Sequence, residues 1–223
     1  GGSIMPEENR RELLRLSREF DFPILEDECY ADLLWNSKRP IALAAMDNGN
    51  RVIHCGSFSK TIAPALRVGY LVADWHLLSQ ILAVKNDSGT GALEQMMLAE
   101  YCVNHFDDHV NKLSSTLKDK LETLVEAVKV YFGTSAEFEV PEGGIFLWVS
   151  LPEHVDTIRL SQLAAKEGIA INPGPEWSTD TKPASSKLRL CFGHPSKKII
   201  EEGVSKLAEI CHQEFGVPLR GAN

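Results

Sequence analysis

A lysine flanked by hydroxyl side chains lies in the segment Gly56-Ser-Phe-Ser-Lys-Thr-Ile-Ala-Pro-Ala-Leu-Arg-Val-Gly-Tyr70. The amine of Lys60 could form a Schiff base with a carbonyl cofactor. Ser57, Ser59 and Arg67 could hold a phosphate, because hydroxyls donate hydrogen bonds and a guanidinium presents a rigid fork of donors. The segment therefore predicts a loop that binds a phosphorylated aldehyde. The competing interpretation is a polar turn with a solvated lysine and an arginine in a surface ion pair.

A second group of polar residues follows an apolar run, in Ile24-Leu-Glu-Asp-Glu-Cys-Tyr30. A carboxylate that faces a pyridine nitrogen keeps that nitrogen protonated, and the resulting cation withdraws electrons from a substrate carbanion. At ~4 Å and an effective dielectric constant of ~20, such an ion pair gains about 4 kcal/mol before desolvation. We assign this role to Asp27 and expect Tyr30 to hydrogen-bond the ring oxygen. The competing acids, Glu26 and Glu28, are predicted to form salt bridges or to face solvent.

Short apolar runs are predicted to position both groups. A helix is predicted over residues 6–20, from Pro6, the acidic first turn and the apolar spacing that follows. Three buried strands are then predicted at Phe22–Leu25, Arg51–Cys55 and Val68–Ala73. This order indicates an α/β sheet, in which ligands lie beyond the carboxyl ends of the strands. Asp27 and the turn 57–60 are both expected there.

The second half of the chain predicts a separate α+β unit. Apolar residues at helical spacing predict one long amphipathic helix from Asp107 to Phe132 that bridges two domains. Gly143 and Gly144 are predicted to form a turn before the next strand. The elements that follow are a strand at 145–151, a helix at 156–167, strands at 169–172 and 188–192, and a helix from residue 195.

Bulk composition excludes several function classes. Lys and Arg total 23 against 31 Asp and Glu, a formal net charge of −8, which disfavours binding to nucleic acid or anionic membranes. No apolar stretch is long enough to span a bilayer and no signal peptide is recognised, so a cytoplasmic protein is expected.

The five cysteines form no C-x-x-C pair. His105 and His109 are predicted to lie at a solvated helix start, so no metal is expected.

Four tryptophans are scattered along the chain, and core or rim packing is the simpler interpretation of them than a binding platform. They are Trp35, Trp75, Trp148 and Trp177.

The motifs together resemble the class I/II pyridoxal-phosphate-dependent aminotransferases of fold type I. The resemblance favours the branch that contains aminoadipate and kynurenine aminotransferases and the aminotransferase-like domains of MocR-type regulators. It covers essentially the whole chain and implies an α/β fold: the C-terminal part of a cofactor-binding large domain (residues 1–106), then an interdomain helix and small α+β C-terminal domain (107–223). The motifs are Asp27-x-x-Tyr30, Ser57-x-Ser59-Lys60, Arg67, Pro141-Glu-Gly-Gly-Ile-Phe-Leu-Trp148, Pro173-Gly174 and Leu188-Arg-Leu-Cys-Phe192.

The resemblance implies that Lys60 binds pyridoxal 5'-phosphate covalently and transfers the substrate proton. It also implies that Arg189 binds the substrate α-carboxylate, although the residue alone would suggest an arginine on an edge strand paired with an acid. The protein would be a cytoplasmic homodimer acting on an amino acid and a 2-oxo acid. The implied cofactor-binding residues are Asp27, Tyr30, Ser57, Ser59, Lys60 and Arg67.

The start of the chain departs from the family pattern. Gly2 aligns with the glycine that closes an N-P-x-G turn in the family, so we expect the chain to begin within a domain and to bind the cofactor poorly alone. Two other functions remain open. One is the effector-binding domain of a MocR-type regulator, and the other is different chemistry on the same cofactor, such as β-elimination or decarboxylation.

Overall fold

The computed structural model describes residues 3–35, 38–48 and 50–219. The chain divides into two compact units, Ile4–Ser114 and, together with Ser3, the residues from Ser115 onward. Gly2, for which the sequence predicts a position in a turn, lies outside the described residues. Within the ranges given, no helix combines the length and the apolar character needed to cross a membrane.

The N-terminal unit alternates helices with three strands, as the apolar runs predict. Pro6 precedes its first helix, and Glu7 and Glu8 lie in the first turn, where the helix dipole favours negative charge. The elements are α1 (Glu7–Glu19), β1 (Ile24–Asp27), α2 (Leu43–Met46), β2 (Val52–Ser57), a 3₁₀ helix (Pro64–Leu66), β3 (Gly69–Val72), α3 (Trp75–Val84) and the first part of α4 (Ala92–Phe132).

The three strands form one sheet in the order β1-β2-β3. Strands β1 and β2 are parallel, with Asp27 opposite Cys55, and β2 and β3 are antiparallel, with Ser57 opposite Gly69. One face of β1 and β2 packs on α1 and α2 through the buried cluster Leu14, Ile24, Leu43 and Val52. Burying each such side chain contributes about 1.5–3 kcal/mol.

The prediction of three buried strands holds only in part for β1 and β2 and is wrong for β3. Burial alternates along β1 and β2, and every residue of β3 is exposed, Val72 to 55%. The buried cluster of this unit joins β1 and β2 to α1 and α2 and includes no residue of β3.

The C-terminal unit has its own antiparallel sheet, in the order β4-β6-β5. Its core includes Leu147, Leu188 and Phe192, all with almost no exposed surface. The α+β architecture and most element bounds agree with the prediction. The elements after α4 are a 3₁₀ helix (Gly133–Ser135), β4 (Phe146–Ser150), α5 (Thr157–Lys166), β5 (Asn172–Pro173), a 3₁₀ helix (Gly174–Trp177), α6 (Thr181–Ala184), β6 (Lys187–Cys191) and α7 (Lys197–Phe215).

Helix α4 begins earlier than the sequence predicts. It starts at Ala92 rather than Asp107 and runs unbroken to Phe132. Its first residues include good helix formers and neither proline nor glycine, so nothing in them stops the helix. His105 and His109 therefore lie inside a helix, where the Tyr101 hydroxyl is 3.0 Å from Nδ1 of His109.

Candidate active site

Two strand ends of the N-terminal unit carry polar side chains to the same edge of the sheet. Asp27 ends β1 and Ser57 ends β2. Because these strands are parallel, their carboxyl ends lie side by side. Strand β3 runs the opposite way and starts beside Ser57, so Arg67, two residues before it, comes to this edge as well.

The turn after β2 is fixed by its own hydrogen bonds. The amide of Phe58 donates to the Val68 carbonyl at 3.1 Å, and the amide of Ile62 donates to the Phe58 carbonyl at 2.8 Å. The amide of Ser59 donates to Oγ of Ser57 at 3.1 Å. Since that oxygen acts as the acceptor, the Ser57 hydroxyl keeps its proton for another partner.

Ser57, Ser59 and Arg67 line one pocket of about 560 Å³. Apolar side chains of α3, among them Leu78, close another side of it. Lys85 also lines the pocket, but its Nζ atom forms an ion pair with Asp87. Two hydroxyl side chains and the Arg67 guanidinium, with no acid among the described lining residues, suit a bound anion. The three residues that the sequence assigns to phosphate thus come together.

Gly56 makes room for one wall of this pocket. A Cβ atom at Gly56 would lie 2.7 Å from Cε1 of Tyr70 and closer still to Cζ and the hydroxyl. The Tyr70 ring therefore crosses the sheet directly over this glycine, and its centroid is 5.8 Å from that of Phe58. Any larger residue at position 56 would displace the ring.

Arg67 has a backbone conformation that is unfavourable for its residue type. Its φ of 55° and ψ of 37° place it in the left-handed region, at the end of the 3₁₀ helix Pro64–Leu66. Such a conformation costs about 1–3 kcal/mol in a residue that is neither glycine, asparagine nor aspartate, and it is frequent at functional sites. Nη1 of Arg67 donates to the Pro64 carbonyl at 3.2 Å. Arg67 forms no ion pair with any of the described residues, which contradicts the competing interpretation of an arginine in a surface ion pair.

Lys60 is exposed in the turn that follows Ser59. Its Nζ atom is 6.0 Å from the centroid of the Tyr30 ring. The turn after β2 and the segment after β1 therefore approach each other at the sheet edge. Lys60 forms no ion pair with any residue in the described part of the chain, so its amine is accessible to a ligand.

The two acids that compete with Asp27 are both engaged elsewhere, as predicted. Glu26 is only 6% exposed. It accepts hydrogen bonds from the amides of Leu43 (2.6 Å) and Ala44 (3.2 Å), and its Oε2 is 2.9 Å from Nδ1 of His54. Burial alone would raise the pKa of Glu26, but these bonds outweigh it and lower the pKa. Glu28 accepts a hydrogen bond from Arg39 at 2.7 Å.

Asp27, in contrast, is an exposed carboxylate at the strand end. It accepts a hydrogen bond from the amide of Cys29 at 3.1 Å, which closes a local turn. Asp27 also affects the neighbouring thiol: a hydrogen bond to Asp27, together with burial, raises the pKa of Cys29 to about 11. Of the three consecutive acids, Asp27 is the one whose carboxylate is accessible to a ligand.

Arg189 lies in the C-terminal unit, on the central strand of its sheet. It is opposite Trp148 on one side and Asn172 on the other, so the competing interpretation of an arginine on an edge strand is wrong. Its Cζ atom is 3.4 Å from the centroid of the Trp177 ring and 3.9 Å from that of Phe146. Arg189, Trp177 and Phe146 line a second pocket, of about 440 Å³.

Sequence reasoning missed Phe146 and Trp177 as candidate site residues. The interpretation of Trp177 as a packing residue is incomplete, because its side chain is 53% exposed and stacks on Arg189. Two signals were present in the sequence. Phe146 is two residues before Trp148 on a predicted strand, so both side chains lie on the same face of the sheet. Trp177 closely follows the Pro173-Gly174 motif.

Gly174 fixes the segment that carries Trp177. A Cβ atom there would lie 2.6 Å from the Lys187 carbonyl oxygen and closer still to that of Ala184, both backbone atoms. Gly174→Ala is therefore expected to lower the free energy of unfolding by about 1–3 kcal/mol, because the backbone must shift. Denaturant unfolding of the variant measures this loss.

Gly203 supplies the matched control for that substitution. It lies inside α7, and a Cβ atom there meets nothing within 4 Å. Gly203→Ala is expected to raise stability by up to about 1 kcal/mol, because alanine is the better helix former. Equal unfolding free energies for Gly174→Ala and the wild type would contradict the tight packing described above.

Comparison with known proteins gives a consistent family assignment. Residues 1–207 match the family model described as aminotransferase class I and II. An aromatic-amino-acid aminotransferase of Thermococcus litoralis is 30% identical over 96% of the chain and 52% of its own length. The HTH-type transcriptional regulator NorG of Staphylococcus aureus is 33% identical over 92% of the chain and 46% of its own length.

The structural comparison agrees with the sequence comparison. The crystal structure of a Pyrococcus horikoshii kynurenine aminotransferase, in complex with PMP, superposes with a TM-score of 0.88 at 30% identity. The superposition covers 96% of this chain and 54% of that one. The chain therefore spans about half the length of the relatives that it matches.

Proposed function

Because the chain belongs to the family of class I and II aminotransferases, we propose that the protein is a pyridoxal-phosphate-dependent aminotransferase. It transfers an amino group between an amino acid and a 2-oxo acid. The observation that carries the proposal is the sheet edge where Asp27, Ser57 and the Lys60 turn meet.

The residues of the sheet edge fit the groups of pyridoxal 5'-phosphate. Ser57, Ser59 and Arg67 line a pocket whose described lining carries no acid, and they would hold the phosphate. Lys60 offers an accessible amine for the aldehyde. Asp27 is the exposed acid for the ring nitrogen. When bound, the cofactor supplies an electron sink for the electrons released at the substrate α-carbon.

The chain's own residues would hold and move protons around this chemistry. The Lys60 amine would be released when substrate binds, and Nζ would then take the proton from the substrate α-carbon and return it later. The Asp27 carboxylate would keep a proton on the ring nitrogen, and the Tyr30 hydroxyl would donate to the ring oxygen. Arg189 would bind the substrate α-carboxylate through two parallel N–H donors.

We extend the proposal to a cytoplasmic homodimer. Support for a partner subunit comes from large apolar side chains exposed on the first part of α4, such as Met96 and Val103. Support for the cytoplasm comes from the cysteines, all of which are free thiols, as in a reducing compartment.

A second candidate function is the effector-binding domain of a transcriptional regulator. The observation that favours it is the 33% identity to a regulator over 92% of this chain. Such a domain would use the same residues to bind cofactor and an amino acid without completing the transfer. The two functions therefore differ in turnover and not in binding.

Turnover of a bound amino acid tests the proposal. The natural full-length protein, loaded with the cofactor, is mixed with one equivalent of an amino acid carrying ¹⁵N, and the products are identified by mass spectrometry. We expect the 2-oxo acid in solution and ¹⁵N on the cofactor. Binding without a 2-oxo acid would favour the regulator, and a released amine or free ammonia would indicate decarboxylation or elimination.

A further inference from the structure

The guanidinium of Arg189 lies between two aromatic rings. Its Cζ atom is 3.4 Å from the centroid of the Trp177 ring and 3.9 Å from that of Phe146. Its Nε atom is buried. We call Phe146 and Trp177 the aromatic clamp. The Arg189 pocket of about 440 Å³ opens beside this clamp and is also lined by Trp148 and Lys187.

A clamp of this kind restricts how a ligand can approach the arginine. Rings stacked on a guanidinium occupy its faces, and the remaining approach is along the plane in which the N–H donors point. A carboxylate is planar and accepts two parallel hydrogen bonds in that plane. Stacking also fixes the rotamer of the Arg189 side chain before a ligand binds, so binding costs less conformational entropy. The clamp thus favours a carboxylate bound edge-on over a ligand stacked on the cation.

The charge of the pocket favours the same ligand class. Lys187 is two residues before Arg189 on β6, so both side chains are on the same face of the sheet. None of the described residues that line the pocket is acidic. Two cations and no carboxylate give a positive potential that attracts an anion.

The clamp is held by rigid parts of the fold. Phe146 is on β4, which pairs with the arginine's own strand in the register Trp148 opposite Arg189. Trp177 ends the 3₁₀ helix that starts at Gly174, which is packed against the Lys187 carbonyl. Trp177 is nevertheless 53% exposed, so burial in a core does not account for its position.

We propose that Trp177 and Phe146 are positioning residues that orient Arg189 for edge-on binding of a substrate carboxylate. The proposal rests on the proposed function only in identifying that carboxylate as the substrate's. The binding of a simple carboxylate, measured without cofactor, tests it independently of any transamination.

The experiment compares an acid with its neutral analogue of the same shape. Isothermal titration measures the dissociation constants of 4-methylpentanoate and 4-methylpentanamide for the natural full-length protein without cofactor. In Trp177→Ala, we expect the acid to bind about twofold to thirtyfold more weakly, the range of a cation–π contact. The amide is expected to bind as it does to the wild type. Trp177→Phe restores most of the affinity for the acid, because it keeps a ring over the guanidinium.

Two further variants make the outcome specific. Trp75→Ala removes a tryptophan that is 69% exposed in the other unit and should change neither dissociation constant. Arg189→Lys keeps the charge but loses the planar fork of donors. It should therefore raise the dissociation constant of the acid even though the clamp is present. If Trp177→Ala weakened the binding of the acid and of the amide equally, the proposal would be overturned, because Trp177 would then make only an apolar contact with the ligand. An unchanged affinity, or no binding of the acid by the wild type, would also overturn it.

Discussion

Replacing Lys60 by alanine in the natural full-length protein is expected to abolish both covalent attachment of pyridoxal 5'-phosphate and amino-group transfer. Lys60 is exposed in a turn that internal hydrogen bonds hold at the sheet edge, and it lies in sequence between Ser59 and Arg67, two of the proposed phosphate ligands. Alanine has no amine to bond the aldehyde or to move the α-proton. Loss of a group that acts in both roles commonly lowers kcat by several orders of magnitude, here at least about a thousandfold.

Borohydride reduction followed by peptide mapping measures the attachment directly. The wild type should carry the reduced cofactor on the peptide that contains Lys60, and the variant should carry none. Lys85→Ala is the matched control, because Lys85 lines the same pocket without belonging to the turn. That variant is expected to keep the covalent label. A label on another lysine in Lys60→Ala would show that the assignment of Lys60 is wrong.

Much of the N-terminal site could be predicted because its residues are close in sequence to strand ends. Polar side chains that directly follow an apolar run mark the carboxyl end of a strand, and two parallel strands bring such ends together. This reasoning placed Asp27 and Ser57 at one edge, as the sheet register has them. The resemblance to class I/II aminotransferases is confirmed by the family match, and the fold class by the structural superposition.

Most of the features that were missed depend on how elements distant in the sequence are arranged. Arg189 contacts Phe146 and Trp177 only because β6 is the central strand of its sheet, and strand order does not follow from periodicity. The early start of α4 at Ala92 was missed because apolar residues there, such as Met96, Met97 and Leu98, lie on more than one side of the helix and form no single apolar stripe. The exposure of β3 depends on what covers the sheet, which the composition of a strand does not reveal.

Asp27→Asn is expected to lower kcat by about tenfold to a thousandfold while the protein still retains its cofactor. Asparagine has nearly the same shape but carries no charge, so it cannot hold a proton on the ring nitrogen. An ion pair at ~4 Å gains about 4 kcal/mol at an effective dielectric constant of ~20, and exposure of the Asp27 carboxylate reduces this gain. Each 1.36 kcal/mol of lost transition-state stabilisation lowers the rate tenfold.

Retention of the cofactor separates this effect from simple loss of binding. Ser57, Ser59 and Arg67, the proposed phosphate ligands, and Lys60, the proposed attachment residue, are unchanged in the variant. Single-turnover rates and the dissociation constant of pyridoxal 5'-phosphate are measured for each protein. Asp21→Asn is the matched control: it makes the same chemical change in the same unit, at a φ of 53° that asparagine tolerates, and loses only the exposed pair with Arg51. Its turnover rate should equal that of the wild type. If Asp27→Asn and Asp21→Asn turned over equally fast, Asp27 would not be the acid that faces the ring nitrogen.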